Sequence, residues 1–288
     1  MNYRKRALVL GCSFTAGSYK WDPSFIVYKN AIQPDGTVKR IDSGLGRERL
    51  DSNGTWVKWL NTNDHYTVFA IPGSGMVQWS SICDYLDRTG QFNFDYVLVA
   101  RTFEPRLVFS LQHEDFLNSY TLEANKYQEN KNITMWQGKG DDITRNVNLI
   151  NGVVNGANLS GNFKHPQYSD WVNKMFKSKT TRTVLESASA FIDDLCVRKN
   201  IPLFEFSFSD QQEAPKGEFE HSVDLGIPTV WGTKNTSMKL LFKKKYHVYG
   251  PIDPAVSKDG SDIFVGHFTL AGNKFIGTTV RRALDKHI

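Results

Sequence analysis

Apolar and polar positions follow a recurring pattern: short unbroken apolar runs that stop at glycine or proline, then segments in which apolar residues recur three or four apart. Ala7-Leu8-Val9-Leu10 runs into Gly11, and Cys12, Ser13 and a second glycine at Gly17 follow. An apolar run without alternation is what a parallel strand buried on both faces requires, so this stretch reads as a strand ending in a tight loop that presents Ser13. The runs at 66–71, ended by Pro72-Gly73-Ser74-Gly75, and at 94–100, leading into Arg101-Thr102-Phe103-Glu104-Pro105, predict two more such strands. Helical spacing predicts a short helix carrying Trp56, Val57, Trp59 and Leu60, and another over 76–86. A longer one over 168–199 has Trp171, Met175, Val184, Ala188, Phe191, Ile192 and Leu195 as its buried face and stops at Asn200. A strand at 201–207 and a closing helix through Ile276, Val280 and Leu284 complete the series. Strand, loop and helix in succession predict an α/β fold built on a doubly wound parallel sheet.

Three stretches break the pattern. Residues 18–53 hold Trp21-Asp22-Pro23, Pro34-Asp35-Gly36 and Ser43-Gly44-Leu45-Gly46, which punctuate rather than extend, and predict an irregular excursion of the kind that forms lids or binding surfaces. Residues 126–167 are rich in Asn, Gly, Lys and Asp and suit turns and β-hairpins. Residues 210–260 read as mostly irregular. A chain of 288 residues accommodates these as insertions in one α/β domain spanning 1–288.

Composition narrows the class. Hydrophobic residues at 40% and charged residues at 23% are ordinary for a globular protein. The net charge of +5 comes from scattered Lys and Arg apart from Lys243-Lys244-Lys245 and Arg281-Arg282, so a nucleic-acid surface is a weak expectation. Cys12, Cys83 and Cys196 show no metal-type spacing and read as reduced core residues, in keeping with a cytoplasmic site of folding. No stretch approaches the roughly 18 apolar residues of a membrane span. His165, His221 and His247 lack metal-ligand spacing and read as structural or surface residues, and Gly73-Ser74-Gly75 lacks the Lys-Ser/Thr of a phosphate-binding loop, so neither metal nor cofactor is expected. Asp141-Asp142 reads as a turn, and Trp21, Trp136 and Trp231, outside the regular elements, are the ones available to stack on sugar rings.

Chemistry concentrates at Ser13. A Ser after a strand-ending Gly serves equally well as a turn former or helix N-cap, but at the carboxyl end of a parallel strand it stands where ligands bind in such sheets. A neutral hydroxyl needs an imidazole to take its proton and backbone N–H groups to hold an oxyanion, and His267, just before the last helix, is placed to converge on the same edge.

The stretch from Leu10 to Gly17 resembles the Gly-Asp-Ser block of the SGNH (GDSL-like) hydrolases, in a Gly-Cys-Ser-Phe-Thr form similar to phage and bacterial members. Ala70-Ile71-Pro72-Gly73-Ser74-Gly75 stands where that family keeps its second-block glycine, 95–102 resembles the strand into the third block, and 266–273 resembles the block with the catalytic His. The resemblance covers about half the chain, and the blocks come in the family's order. It implies a three-layer αβα sandwich of SGNH or flavodoxin-like type, with Ser13 as nucleophile, His267 as base, and N–H groups of Ser13 and Gly73 as oxyanion donors. It implies no cofactor. The chain departs from the family at two points: Phe103 occupies the place of the third-block Asn, leaving Thr102 or Arg101 as a substitute donor, and the usual Asp before the His is replaced by Phe264 and Val265, leaving Asp262 to orient the imidazole.

Two functions stay open. One is an ester hydrolase acting on an acetyl or short acyl group of a carbohydrate or small molecule. The other is a catalytically degenerate member that binds a glycan or protein partner as a virion or surface component, with homo-oligomeric partners in keeping with either.

Overall fold

The structure, a computed structural model, describes residues 5–22, 28–32, 38–42, 47–70, 74–101, 106–109, 124–130, 132–138, 157–160, 178–208, 219–227, 247–250 and 263–288. Among them the strands in chain order are β1 (Arg6–Gly11), β2 (Ser18–Asp22), β3 (Tyr28–Ile32), β4 (Val38–Asp42), β5 (Arg47–Asp51), β6 (His65–Ala70), β7 (Tyr96–Arg101) and β8 (Arg106–Phe109). They continue with β9 (Ala124–Asn130), β10 (Ile133–Gly138), β11 (Ala157–Ser160), β12 (Leu203–Ser207), β13 (Val223–Asp224), β14 (His247–Gly250) and β15 (Ile263–Phe268). The helices are α1 (Ser13–Ala16), α2 (Met76–Arg88), α3 (Lys179–Lys199) and α4 (Leu270–Leu284), with 3-10 turns at Ser52–Gly54 and Trp56–Trp59.

The central sheet runs β13-β12-β7-β1-β6-β10-β9. Its first six strands are parallel, and β9 adds antiparallel to β10 at one edge. The unbroken apolar runs account for this core: Ala7 to Leu10 of β1 and Val97 to Ala100 of β7 are each 0% exposed. Alternate side chains go to opposite faces. Ala7, Val9, Val68, Leu98 and Phe206 pack with the turn Trp56–Trp59 and with Ile276, Val280 and Leu284 of α4. Leu8, Leu10, Phe69, Val97 and Val99 pack with Trp79, Ile82 and Leu86 of α2 and with Ile192 and Leu195 of α3. Each fully buried large apolar side chain contributes about 1.5–3 kcal/mol relative to exposure. Gly277 lets α4 come close to the Trp56–Trp59 turn, because a Cβ there would overlap the Trp56 carbonyl.

The order of strands reverses about β1. From β1 the chain passes through the Trp56–Trp59 turn on one face to β6, then through α2 on the other face to β7, on the far side of β1. In open parallel sheets the crevice at the carboxyl end of such a reversal is where ligands fit.

Several expectations need correcting. The stretch 18–53 is not irregular throughout: β2 pairs antiparallel with β5, and β3 with β4, and Asp51 and Thr55 each cap a 3-10 turn. Within the insertion 126–167 the expected hairpin is present as β9 and β10, and β10 also pairs parallel with β6. Within 210–260, β13 joins the parallel sheet and β14 pairs with β15. Val184 was expected on the buried face of its helix and is 40% exposed, while Leu185 beside it is buried, a rotation of the apolar stripe by one residue. Trp171 and Met175 lie outside the described residues. Asn200 ends α3 in the left-handed conformation (φ 55°), its N–H meeting the carbonyls of Cys196 and Val197.

Candidate functional site

Two short elements carry the candidate pair. Gly11 ends β1 where the chain turns sharply into α1: a Cβ at Gly11 would overlap the Thr15 side chain, so only glycine lets the turn close on it. Thr15 N–H then bonds the Cys12 carbonyl at 2.8 Å, and Ser13 begins the helical turn, 2% exposed. Thr15 is itself pinned, its carbonyl accepting from Thr55 Oγ1 at 2.7 Å and its hydroxyl oxygen from Trp56 Nε1 at 3.2 Å. On the other side of β1, buried Ser74 donates to the Gly11 carbonyl at 2.8 Å and accepts from Trp79 Nε1 at 3.1 Å. The loop that presents Ser13 is therefore tied to segments on both sides of the first strand.

His267 comes from the end of β15, one residue before buried Phe268 and two before Thr269, whose hydroxyl caps α4 by accepting from Gly272 N–H at 3.3 Å. Its Nε2 lies 2.9 Å from Ser13 Oγ. The imidazole is held by rings: Tyr19 stacks on it at 4.0 Å between centroids and 19° between planes, and Phe14 tilts against it at 5.0 Å. Phe14 also meets Phe208 at 5.6 Å and Phe268 at 5.1 Å, so the residues next to both members of the pair share one aromatic cluster. Such ring pairs contribute about 0.5–1.5 kcal/mol beyond area burial and restrict the tilt of the imidazole. A hydroxyl at hydrogen-bond distance from an imidazole nitrogen is the arrangement that lets the ring take the hydroxyl proton as the oxygen attacks an electrophile.

Of the other residues singled out by the sequence, Gly73, Thr102 and Asp262 lie outside the described residues, as do Phe103, His165 and the Lys243-Lys244-Lys245 run. Arg101, the alternative donor, is committed elsewhere. It ends β7 as an ion-pair partner of Glu205, with its guanidinium carbon 5.1 Å from the centre of the Phe219 ring. Burial raises the Glu205 carboxyl above its ordinary range, against which the Arg101 charge and the Ser222 hydroxyl, donating at 2.8 Å, both act. The cysteines are free and buried, and burial pushes the Cys83 thiol well up and that of Cys196 up to about 12, which keeps both protonated and unreactive.

The supporting residues Thr15, Ser74 and Tyr19 were not marked by the sequence reading. The signal for Ser74 was present, a polar residue between two glycines at the end of a strand, but it reads equally as a plain turn. Among the described residues no cluster of three or more His, Cys, Asp or Glu side chains is placed to hold a metal, and no helix is long and apolar enough to cross a membrane. No family model matches the chain, and no curated protein or solved structure matches it either.

Proposed function

We propose that the chain is a serine ester hydrolase of the SGNH type, a three-layer αβα sandwich in which Ser13 is the nucleophile and His267 the general base. The observation that carries this reading is the 2.9 Å approach of His267 Nε2 to Ser13 Oγ at the carboxyl end of the strand about which the sheet order reverses. The sheet supports it. With β10 and β9 set aside as an edge extension, the strands β6-β1-β7-β12-β13 take the order 2-1-3-4-5 by their succession in the chain, which is the flavodoxin-like order.

In the proposed reaction Ser13 Oγ attacks the ester carbonyl carbon and its proton passes to His267 Nε2. The tetrahedral adduct collapses with cleavage of the ester C–O bond, and the imidazolium returns the proton to the departing alkoxide oxygen. Water then attacks the acyl carbon while Nε2 takes its proton, and the second adduct collapses with cleavage of the bond from the acyl carbon to Ser13 Oγ, the imidazolium returning the proton to Oγ as the acid leaves. Backbone N–H groups of Ser13 and Gly73, with Thr102, are the proposed oxyanion donors, and Asp262 the proposed partner of the imidazole. The substrate class is an acetyl or other short acyl ester of a carbohydrate or small molecule. The 2% exposure of Ser13 favours a small acyl group.

The test is hydrolysis of a short-chain chromogenic ester by the wild type and by Ser13→Ala. Turnover is expected to fall to the uncatalysed rate in the variant, and turnover equal to the wild type's would reject Ser13 as nucleophile. A wild type inert toward a panel of acyl lengths would favour the fold as a glycan- or protein-binding component.

A further inference from the structure

Ser13 and His267 are 254 positions apart in the chain, so their 2.9 Å contact requires that two remote stretches of backbone be held in register. The ring contacts around Phe14 restrict the tilt of the imidazole but set no donor–acceptor distance. Among the described residues, a directional link besides the Ser13–His267 contact itself joins the two stretches. Asn273, in the first turn of α4, is 0% exposed. Its side-chain Nδ2 lies 3.2 Å from the Gly17 carbonyl oxygen, 3.2 Å from that of Thr269 and 3.4 Å from that of Phe268. Gly17 caps the end of the helical turn that Ser13 begins, and Phe268 and Thr269 directly follow His267.

Three carbonyl oxygens around one end of the amide establish that end as the nitrogen, since an oxygen there would face three acceptors and no donor. The other end, Oδ1, is buried and meets no donor among the described residues. The side chain is therefore oriented by its N–H groups, whose two hydrogens serve acceptors on both sides of the reactive pair.

We propose that Asn273 is a positioning residue: its amide sets the distance between the nucleophile and the base by tying the backbone after Ser13 to the backbone after His267. This rests on the Ser13–His267 reading above. Its consequence is kinetic. A displacement of about 1 Å between reacting groups costs about 10²-fold in rate, so Asn273→Ala should slow the chemistry at Ser13 by that order while leaving its access unchanged.

The probe is a fluorophosphonate, which reports the activated hydroxyl without knowledge of the natural ester. Ser13 Oγ forms a bond to phosphorus, the P–F bond breaks, fluoride leaves, and His267 takes the hydroxyl proton. Labelling rates are measured well below each variant's melting temperature, so that every variant is fully folded. Asn273→Ala is expected to label about 10²-fold more slowly than the wild type at saturating probe, with little change in the half-saturating concentration. Ile276→Val, which trims the core side of the same helix, is expected to label at the wild-type rate. Should Asn273→Ala fail to fold, Asn273→Ser, with one donor, is expected to move the same way. Wild-type labelling rates in a folded Asn273 variant, or equal slowing in Ile276→Val, would overturn the positioning role. A wild type that does not label, or labels as well after Ser13→Ala, would instead overturn the parent reading.

Discussion

His267 and His221 each bring a ring nitrogen to nearly the same distance from an oxygen, and the group that carries the oxygen separates their roles. His267 Nε2 lies 2.9 Å from the hydroxyl of Ser13, and His221 Nδ1 lies 2.8 Å from the carboxylate of Asp193. A hydroxyl has a proton to give and becomes reactive by giving it, so the first pair suits proton transfer. A carboxylate has none at neutral pH and attracts positive charge, so the second pair suits a fixed ionic contact. The surroundings reinforce the contrast. Aromatic rings line the first imidazole, whereas the second is 54% exposed and its partner 4%. Asp193 also accepts from the backbone N–H of Glu220 at 3.1 Å and from that of His221 at 3.1 Å and 3.2 Å. It therefore clamps the chain segment that leads into β13 onto α3. Reach to an oxygen does not by itself separate the two histidines; whether the partner carries a proton to give, and the enclosure of the ring, do.

The largest effect expected from this contrast is on turnover. Under the proposed mechanism His267→Ala should lower kcat by at least about 10³-fold, whereas His221→Ala should leave kcat within about twofold of the wild type. Ester hydrolysis by the two variants in parallel measures this. Comparable losses in both would erase the distinction. Next in size is the effect on stability of removing the buried acceptor. Asp193→Ala leaves the N–H groups of Glu220 and His221 without their partner and should cost about 2–4 kcal/mol in urea unfolding, while the rate of fluorophosphonate labelling of the folded protein stays as it was. A loss below about 0.5 kcal/mol would mean that the segment is held by something other than this carboxylate.

The sheet was legible in the sequence where the physics was simple. An apolar run with no alternation has one economical solution, a strand covered on both faces, and β1 and β7 fall where such runs stand. The paired strands between Ser18 and Asp51 were not legible, because sequences such as Tyr28-Lys29-Asn30-Ala31-Ile32 have neither a long apolar run nor a sustained alternation. β13 is only two residues long and takes its place from pairing to β12, a tertiary cause that leaves no local signal. At the site, Ser13 and His267 were indicated by blocks of sequence in a familiar order, whereas composition alone offers seven histidines and no reason to choose among them. Asp193 did carry a signal. It falls among Ser189, Ile192 and Cys196 on the buried face of α3, and a carboxylate in that stripe requires a partner. Asn273 carried a weaker one, since an Asn in the first turn of a helix reads first as capping chemistry rather than as a tie to the end of a distant helical turn.

The smallest effect is the dependence of the His221 clamp on pH, and its sign separates an ionic contact from a neutral hydrogen bond. The hydrogen bond to Asp193 comes first among the causes that raise the His221 imidazole above its ordinary 6.5, with the nearby carboxylates adding to it. A group raised in the folded state contributes its full stabilisation below the unfolded value, where both states are protonated, and loses it as pH rises through the folded value. The stability difference between the wild type and His221→Asn should therefore be greatest on the acid side of 6.5 and shrink as pH rises above it. Urea unfolding of both chains from about pH 5 to about pH 9 measures the slope. Added salt should flatten it, because the ring is more than half exposed. A difference independent of pH would mean that the His221 ring contributes only as a neutral donor to Asp193, and the contrast with His267 would then rest on enclosure alone. A difference that grows toward alkaline pH would mean that the charged ring strains the clamp, reversing the role assigned to it.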